Sequence, residues 1–360
     1  MEGLRAYAAL LIFAVHYFDA YSRLALGIDP NGIRLTSAPS PGSTISYYLF
    51  ASHYGVDVFF LLSGFLVCRM VKHGGFDYRT FILRRLARIY PAFLVALLIW
   101  AWVRIGLQGT YDFDPVQFAG NLLFLNAVPA LGVAPYAAIT WSLFFEFLFY
   151  LVLPATLLIP PRRRSGAMQV ILLGIPAVLA MVALLGEFGL RFAMLFVGAL
   201  IACVDDGRLR KLAAALPAPL VLVCYAGSTL YFAEVLSYGT FIPVFALTGA
   251  LLVIKVMFGS GPLTRFFASA PLRYLGNMSY SFYLIHGLAI EIVMLPDGPF
   301  SVLAPLPMLA ATLPLALLIA GLFSTALFLV AEKPYFRWRQ GSGRSAATGG
   351  LATTWGKVPD

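Results

Sequence analysis

The sequence predicts an all-α, polytopic membrane protein with about ten transmembrane helices and both termini in the cytoplasm. Three observations predict this fold class. Of the 360 residues, 61% are hydrophobic and only 11% are charged, and the mean hydropathy is +0.86. Apolar runs of about 20 residues, each long enough to cross a bilayer, recur along the chain. Lysine and arginine cluster in short segments between these runs, a pattern typical of cytoplasmic loops.

The apolar runs predict ten spans, at roughly 3–25, 53–72, 89–108, 139–159, 167–186, 189–204, 214–233, 238–258, 271–295 and 304–331. The segments after the even-numbered spans are basic, and those after the odd-numbered spans are poor in lysine and arginine. Because basic segments stay inside, the N-terminus is predicted to be cytoplasmic. Residues 1–336 are expected to form one transmembrane domain. Residues 337–360, rich in Gly, Ser, Ala and Thr, are expected to form a disordered cytoplasmic tail.

The first span carries Arg5, His16 and Asp19 inside an apolar run. A charged side chain at bilayer depth costs about 2.5–3.5 kcal/mol, so each one needs a partner or a function. Arg5 and His16 are eleven residues apart, which places both on one helix face, about 16 Å apart along the axis. The alternatives are a snorkelling anchor for Arg5 and a hydrogen-bonded structural histidine for His16.

A cationic edge precedes the third span, where Arg84, Arg85 and Arg88 fall three and four residues apart. Side chains at these spacings share a helix face, so the edge is suited to phosphates that arrive from the cytoplasm. The alternatives are an orientation signal and contact with anionic lipid. Pro91 suits a first helical turn, and the third span is predicted to restart there. The outer segment 109–138 is predicted to contain a short helix.

The predicted topology places ionisable side chains from four separate spans in the outer third of the membrane: His16, Asp57, Glu146 and His286. Intramembrane ionisable groups indicate a functional site by default. An imidazole titrates near neutral pH and a carboxylate can orient it, so the set suits general acid–base or nucleophilic catalysis. Asp19, one turn beyond His16, could join the set. The alternatives are interhelical ion pairs for Asp57 and Glu146, and a structural hydrogen bond for His286.

The charge pattern and the cysteines argue against three features: nucleic-acid binding, a metal site and a disulfide framework. The net charge of +9 does not indicate nucleic-acid binding, because the basic residues follow the loop pattern of a membrane protein. Cys68, Cys203 and Cys224 lie in apolar runs without the spacing of metal ligands. Neither a metal site nor a disulfide framework is therefore predicted.

Six segments, in the same order, resemble motifs of the acyltransferase-3 family of bacterial integral-membrane O-acyltransferases. They are GLRAYAALLIFAVHY at 3–17, GVDVFFLLSGFLV at 55–67, RRLARIYPAFLVALL at 84–98, WSLFFEFLFYLVLP at 141–154, LGNMSYSFYLIH at 275–286 and AEKPYF at 331–336. The first has the family's pattern of arginine, ten residues and histidine, and the third has its Arg-x-x-Arg at Arg85 and Arg88. The fourth departs from many relatives, because Phe147 rather than a second acidic residue follows Glu146. A fused SGNH-type esterase domain is not expected.

The resemblance implies a multi-pass enzyme of the bacterial cytoplasmic (inner) membrane that uses cytoplasmic acyl-CoA, often acetyl-CoA, as co-substrate. It implies transfer of the acyl group to a hydroxyl of an extracytoplasmic glycan or glycolipid, with His16 acting in acid–base chemistry or accepting the acyl group. The residues expected to be catalytic are His16, Glu146 and Asp57. Those expected to bind acyl-CoA are Arg5, Arg85 and Arg88, and those expected to support the site are Asp19, His286 and Trp141. The alternative function is a proton-coupled transporter of a small solute or glycan precursor, in which the same polar groups relay protons.

Overall fold

The structure is a computed structural model that describes residues 1–29, 54–72, 75–110, 112–158, 166–229 and 236–335. All the regular secondary structure in these ranges is helical, which confirms the predicted all-α fold class. The predicted tail, 337–360, lies outside the described residues, as does most of the outer segment that follows the first helix.

The α-helices, numbered in chain order through the described ranges, are α1 (Glu2–Leu26), α2 (Gly55–Lys72), α3 (Tyr78–Ala101), α4 (Pro115–Leu122), α5 (Trp141–Val152), α6 (Gly166–Leu185), α7 (Ala193–Ala202), α8 (Asp206–Ala215), α9 (Ala218–Gly227), α10 (Tyr238–Phe258), α11 (Pro262–Phe267), α12 (Ala270–Asn277), α13 (Ser279–Val293) and α14 (Pro305–Leu327). Two π-helical segments extend α3 and α14, at Trp102–Leu107 and Phe328–Glu332. Short 3₁₀ helices lie at Leu125–Ala127, Pro129–Leu131, Ala138–Thr140, Leu153–Leu158 and Gly186–Phe192.

Within the described ranges, five helical segments are long and apolar enough to cross a membrane, and there are six if the bent pair α8–α9 counts as one span. The five are Glu2–Leu26, Tyr78–Leu107, Gly166–Ala202, Tyr238–Phe258 and Pro305–Tyr335. The chain is therefore a multi-pass membrane protein, whereas ten spans and the orientation of the termini stay predictions. Apolar helices α5 and α13 have only 12 and 15 residues. At about 1.5 Å per residue, both are shorter than the roughly 30 Å hydrocarbon core.

The apolar run that contains α6 and α7 folds back on itself. Gly186, between the two helices, has a φ of 62°, a conformation that favours glycine. On either side of this turn, Gly189 lies against the Met181 carbonyl and Gly174 lies against the Phe196 ring. These are the contacts of two adjacent antiparallel helices, the arrangement that the fifth and sixth predicted spans require.

Helix α3 begins earlier than predicted and passes through Pro91 without a break. Asp77 caps its start by accepting a hydrogen bond from the Thr80 amide at 2.8 Å, and hydrogen bonds from Thr80 lower the pKa of this carboxyl group. The predicted restart at Pro91 is wrong. Pro91 is exposed, while Ala92 and Phe93 beside it are buried, so the packing of the flanking residues offsets the hydrogen bond that the proline cannot donate.

The segment 109–138, predicted to be an outer loop, does contain a short helix, α4, which confirms the prediction of that helix. Asp114 caps it through its side chain. The segment is ordered around the buried Asn121, whose amide donates to the Ala134 carbonyl at 2.9 Å and whose oxygen accepts from the Tyr136 amide at 3.1 Å. These bonds fold the segment onto itself just before α5 begins.

Helices α2 and α7 cross at very close range through two glycines. A Cβ atom on Gly64 would lie 1.9 Å from the carbonyl oxygen of Leu195, and one on Gly198 would lie 2.1 Å from that of Leu61. Small residues allow membrane helices to approach to backbone contact, where van der Waals packing holds them together. This crossing fixes α2, which contributes Ser63 to the cavity described below.

Candidate functional site

A cavity of about 80 Å³ lies between α1, α2, α3, α5 and α13. Its polar lining consists of three arginines, a carboxylate and several hydroxyl groups: Arg5, Arg85, Arg88, Glu146, Ser63, Ser142, Tyr150, Ser279, Tyr280 and Tyr283. The structure thus brings together all three arginines predicted to bind acyl-CoA and one of the three residues predicted to be catalytic. Cationic, anionic and hydroxyl groups in a largely apolar enclosure are typical of a ligand site.

Arg5 reaches this cavity because the start of α1 is packed tightly against α11 and α12. A Cβ on Gly3 would lie 1.9 Å from the Phe267 carbonyl oxygen, and one on Gly276 would lie 2.0 Å from the Glu2 carbonyl oxygen. The Arg5 guanidinium donates from Nε to the hydroxyl of Ser279, the first residue of α13, at 3.1 Å. The side chain is therefore held at the cavity wall by a neighbouring helix.

Arg85 and Arg88 lie one turn apart on α3, and both face the cavity, whereas Arg84 is exposed. The Arg85 guanidinium is 5.1 Å from the ring centroid of Tyr150 and 5.4 Å from that of Phe81. Arg88 and Arg5 are close enough to repel each other electrostatically. Several cations collected beside each other inside a membrane protein need counter-charges.

Glu146 projects from α5 into the same cavity. Its Oε1 accepts hydrogen bonds from the Ser63 hydroxyl, at 2.6 Å, and from the hydroxyl of Tyr150, one turn further along α5. Glu146 also attracts both Arg5 and Arg85 electrostatically. The carboxylate is therefore a counter-charge within the arginine cluster.

A second carboxylate near Arg5, that of the buried Glu332, was missed in the sequence. It lies in the π-helical extension of α14 and accepts hydrogen bonds from the amide of Ser281, at 3.0 Å, and from its hydroxyl. It attracts both Arg5 and Arg88. The sequence feature that could have identified Glu332 is a carboxylate at the end of an apolar helix, within the AEKPYF segment at 331–336.

His16 and His286 form a pair. The Nε2 atom of His286 is 3.1 Å from Nδ1 of His16, and their ring centroids are 5.1 Å apart. His286 is fully buried on α13, and His16 is half-buried on α1. Asp19 lies one turn beyond His16 and pairs with Arg23 at 3.1 Å. The histidine predicted as a supporting residue is thus in direct contact with the one predicted to be catalytic.

Tyr283 lies next to both the arginine cavity and the histidine pair. It lines the cavity, and its ring centroid is 6.1 Å from that of His286. Its hydroxyl is fixed by the Ile139 carbonyl and by the Ser142 hydroxyl, the latter at 2.7 Å. Tyr283 therefore borders both polar centres.

The shared depth predicted that Asp57 would lie beside the histidines, but the structure places it elsewhere. It is fully buried and pairs with Arg191, whose Nη1 is 3.2 Å from Oδ2. Among the described residues, no hydrogen bond joins His16 to Asp57 or to Glu146. The predicted common depth of these residues therefore does not bring their side chains together.

Arg191 is enclosed by aromatic rings and was also missed. Its guanidinium is 5.5 Å from the ring centroid of Trp141 and 5.4 Å from that of Phe188, and its Nε donates to the Tyr238 hydroxyl at 2.6 Å. Trp141, predicted as a supporting residue, therefore packs on the Asp57 ion pair. No group of three or more histidine, cysteine or acidic residues in the described part of the chain could hold a metal ion.

The chain is similar in sequence to several known bacterial proteins. The exopolysaccharide production protein ExoZ of Rhizobium meliloti is 27% identical over 304 residues, which cover 83% of this chain and 93% of ExoZ. The acyltransferase MdmB of Streptomyces mycarofaciens is 29% identical over 164 residues, 43% of this chain and 38% of MdmB. YrhL of Bacillus subtilis, named as a candidate peptidoglycan O-acetyltransferase, is 28% identical over 273 residues, 64% of this chain and 43% of YrhL.

The chain thus spans less than half the length of MdmB and of YrhL. No solved structure matches it significantly. The family model for the acyltransferase-3 domain matches residues 1–330. Because this model covers most of the chain, the chain belongs to the acyltransferase-3 family.

Proposed function

We propose that this protein transfers an acyl group, most simply acetyl, from cytoplasmic acyl-CoA to a hydroxyl of a glycan or glycolipid outside the bacterial inner membrane. Family membership supports acyl transfer. The relatives named for exopolysaccharide production and peptidoglycan O-acetylation support a polysaccharide acceptor. The single observation that carries the proposal is the intramembrane cavity that collects Arg5, Arg85 and Arg88 beside Glu146.

The arginine cluster supplies the donor side of the reaction. Guanidinium groups bind phosphate oxygens through paired, charge-assisted hydrogen bonds, and CoA is rich in phosphate. Arg85 is prearranged by the rings of Phe81 and Tyr150, and Arg5 by Ser279. A cofactor held there by its phosphates would extend its thioester toward Tyr283 and the histidine pair behind it.

His16 supplies the acid–base function. It takes the proton of the acceptor hydroxyl as that oxygen bonds to the thioester carbonyl carbon. The carbon–sulfur bond then breaks, and the leaving CoA thiolate receives the proton, so that the products are an ester and free CoA. Because a thioester is already activated, positioning and proton transfer are the main requirements, and proton transfer contributes about 10²–10⁴-fold in rate.

The donor site is tested with Arg85→Ala/Arg88→Ala in protein reconstituted in nanodiscs. Loss of two charge-assisted contacts, each worth about 1.5–3 kcal/mol, should weaken CoA binding by at least about 100-fold in calorimetry. Arg84→Ala is the matched control, since it removes an exposed arginine from the same helix. Equal CoA affinity in the double variant and the control would refute the assignment of the cluster.

The reaction is tested with radiolabelled acetyl-CoA and membrane glycan, with no gradient across the membrane. Label that appears on the glycan with the parent protein, and not with His16→Ala, supports an acyltransferase that uses this histidine. Accumulation of unmodified solute in sealed vesicles, without label transfer, would instead support the transporter.

A further inference from the structure

The contacts of the two imidazoles determine where their protons lie. Nδ1 of His286 is 2.8 Å from the carbonyl oxygen of Tyr283 and 3.2 Å from that of Phe282. A carbonyl oxygen only accepts hydrogen bonds. Nδ1 of His286 must therefore carry a proton, because an unprotonated nitrogen would direct its lone pair at two oxygens. In neutral His286, Nε2 is then the unprotonated nitrogen and an acceptor.

The same reasoning applies to His16. Its Nδ1 is 2.8 Å from the Ile12 carbonyl oxygen and 3.1 Å from Nε2 of His286. Both neighbours are acceptors once His286 carries its proton on Nδ1. Nδ1 of His16 must therefore donate, and its proton is shared between the two. The other tautomer would leave a lone pair facing an oxygen at 2.8 Å, in a protein interior where such mismatches are costly.

We propose that His286 is a positioning residue that holds His16 with its proton on Nδ1 and leaves Nε2 of His16 as the free basic nitrogen. This inference rests on the proposed function, in which His16 takes the acceptor proton. Among the described residues, no hydrogen bond reaches Nε2 of His16, so that nitrogen is available to a substrate.

The pair gives His16 the support that a carboxylate gives in a serine-hydrolase triad. When Nε2 of His16 takes a proton, its ring becomes cationic, and the hydrogen bond from Nδ1 to His286 becomes charge-assisted and stronger. Full burial of His286 and its two backbone contacts fix the acceptor in place. Asp57, the carboxylate first expected in this role, is occupied by Arg191.

The tautomer is measured directly by solid-state NMR of protein labelled with ¹³C,¹⁵N-histidine and reconstituted in lipid. The chain has four histidines, so His53→Gln and His73→Gln variants assign the spectrum. We expect protonated Nδ1 and unprotonated Nε2 in both His16 and His286. We also expect a ¹⁵N–¹⁵N correlation across the hydrogen bond that joins Nδ1 of His16 to Nε2 of His286. A protonated Nε2 on neutral His16, or no correlation between the rings, would overturn the inference even if acyl transfer is intact.

The catalytic consequence is measured with two variants of His286. In His286→Gln the side-chain oxygen reaches the region of Nε2 and still accepts from His16, whereas His286→Leu offers no acceptor. We expect the leucine variant to lower kcat by at least about 10-fold, with KM for acyl-CoA within about two-fold of the parent, and the glutamine variant to restore most of the rate. Equal losses in the two variants would overturn the positioning role. Full activity of His16→Ala would instead remove His16 from the proposed mechanism, and with it the positioning role of His286, while the NMR result would stand.

Discussion

Asp57→Asn tests whether the buried carboxylate on α2 is structural or catalytic. Asp57 is completely buried and Arg191 is 5% exposed, with a charge separation of 3.2 Å. Asparagine keeps the shape of the side chain but leaves the guanidinium without its counter-charge. Among the described residues, the Tyr238 hydroxyl and the surrounding aromatic faces then remain as its partners, beside a neutral amide. Removing one member of a buried ion pair typically costs about 3–5 kcal/mol, and we expect a loss of that size in the free energy of unfolding.

The measurement is reversible unfolding in mixed micelles, followed by circular dichroism. Asp297→Asn, which removes an exposed carboxylate, is the control and should change stability by less than about 0.5 kcal/mol. Arg191→Met in the Asp57→Asn background removes the unpaired charge as well. The loss in the free energy of unfolding of the double variant should therefore be smaller than the sum of the two single-variant losses by about 1–3 kcal/mol.

The opposite pattern would refute this reasoning. If Asp57→Asn unfolds like the parent protein and yet no longer transfers acyl groups, Asp57 acts in the chemistry and the ion pair contributes little. Additive losses in the double variant would also show that the two charges are not coupled.

Two further predictions concern packing. Gly198→Ala should destabilise the protein by about 1–3 kcal/mol, because the new Cβ would lie 2.1 Å from the Leu61 carbonyl oxygen. The control Gly321→Ala, whose Cβ would have no atom within 4 Å, should be neutral or stabilising. Equal thermal unfolding of the two variants would contradict the close crossing of α2 and α7. Lys255→Met should lower the free energy of unfolding by about 1.5–3 kcal/mol. The buried Lys255 ammonium donates to the Ala213 carbonyl at 2.7 Å, near the C-terminus of α8, and methionine cannot make this bond. An unchanged free energy of unfolding would show that the bond contributes nothing to stability.

The arginine cluster was accessible from the sequence because it depends mainly on local geometry. Arg85 and Arg88 are three residues apart on one helix, so their shared face follows from the helical repeat. Arg5 was identified through its cost in an apolar run. The structure places all three at one cavity. The partners of Arg5 were not accessible, since Ser279 and Glu332 lie more than 270 residues further along the chain.

Only part of the grouping of the ionisable residues could be predicted from the sequence. Hydropathy gives the depth of His16, Asp57 and His286 along their helices, but not the direction in which each side chain points around the bundle. Close contacts through glycines, such as that of Gly198 with α2, fix how neighbouring helices approach and rotate. That packing brings His16 to His286 and directs Asp57 to Arg191.

The sequence by itself determined that this is a helical membrane protein of the acyltransferase-3 family, with cations on one helix edge, because composition and helical repeat are local properties of the chain. Only the tertiary structure decided which buried groups pair. Each pairing depends on the rotation and close approach of helices far apart in sequence, and burial makes an unpaired charge or hydrogen-bonding group too costly to leave without a partner.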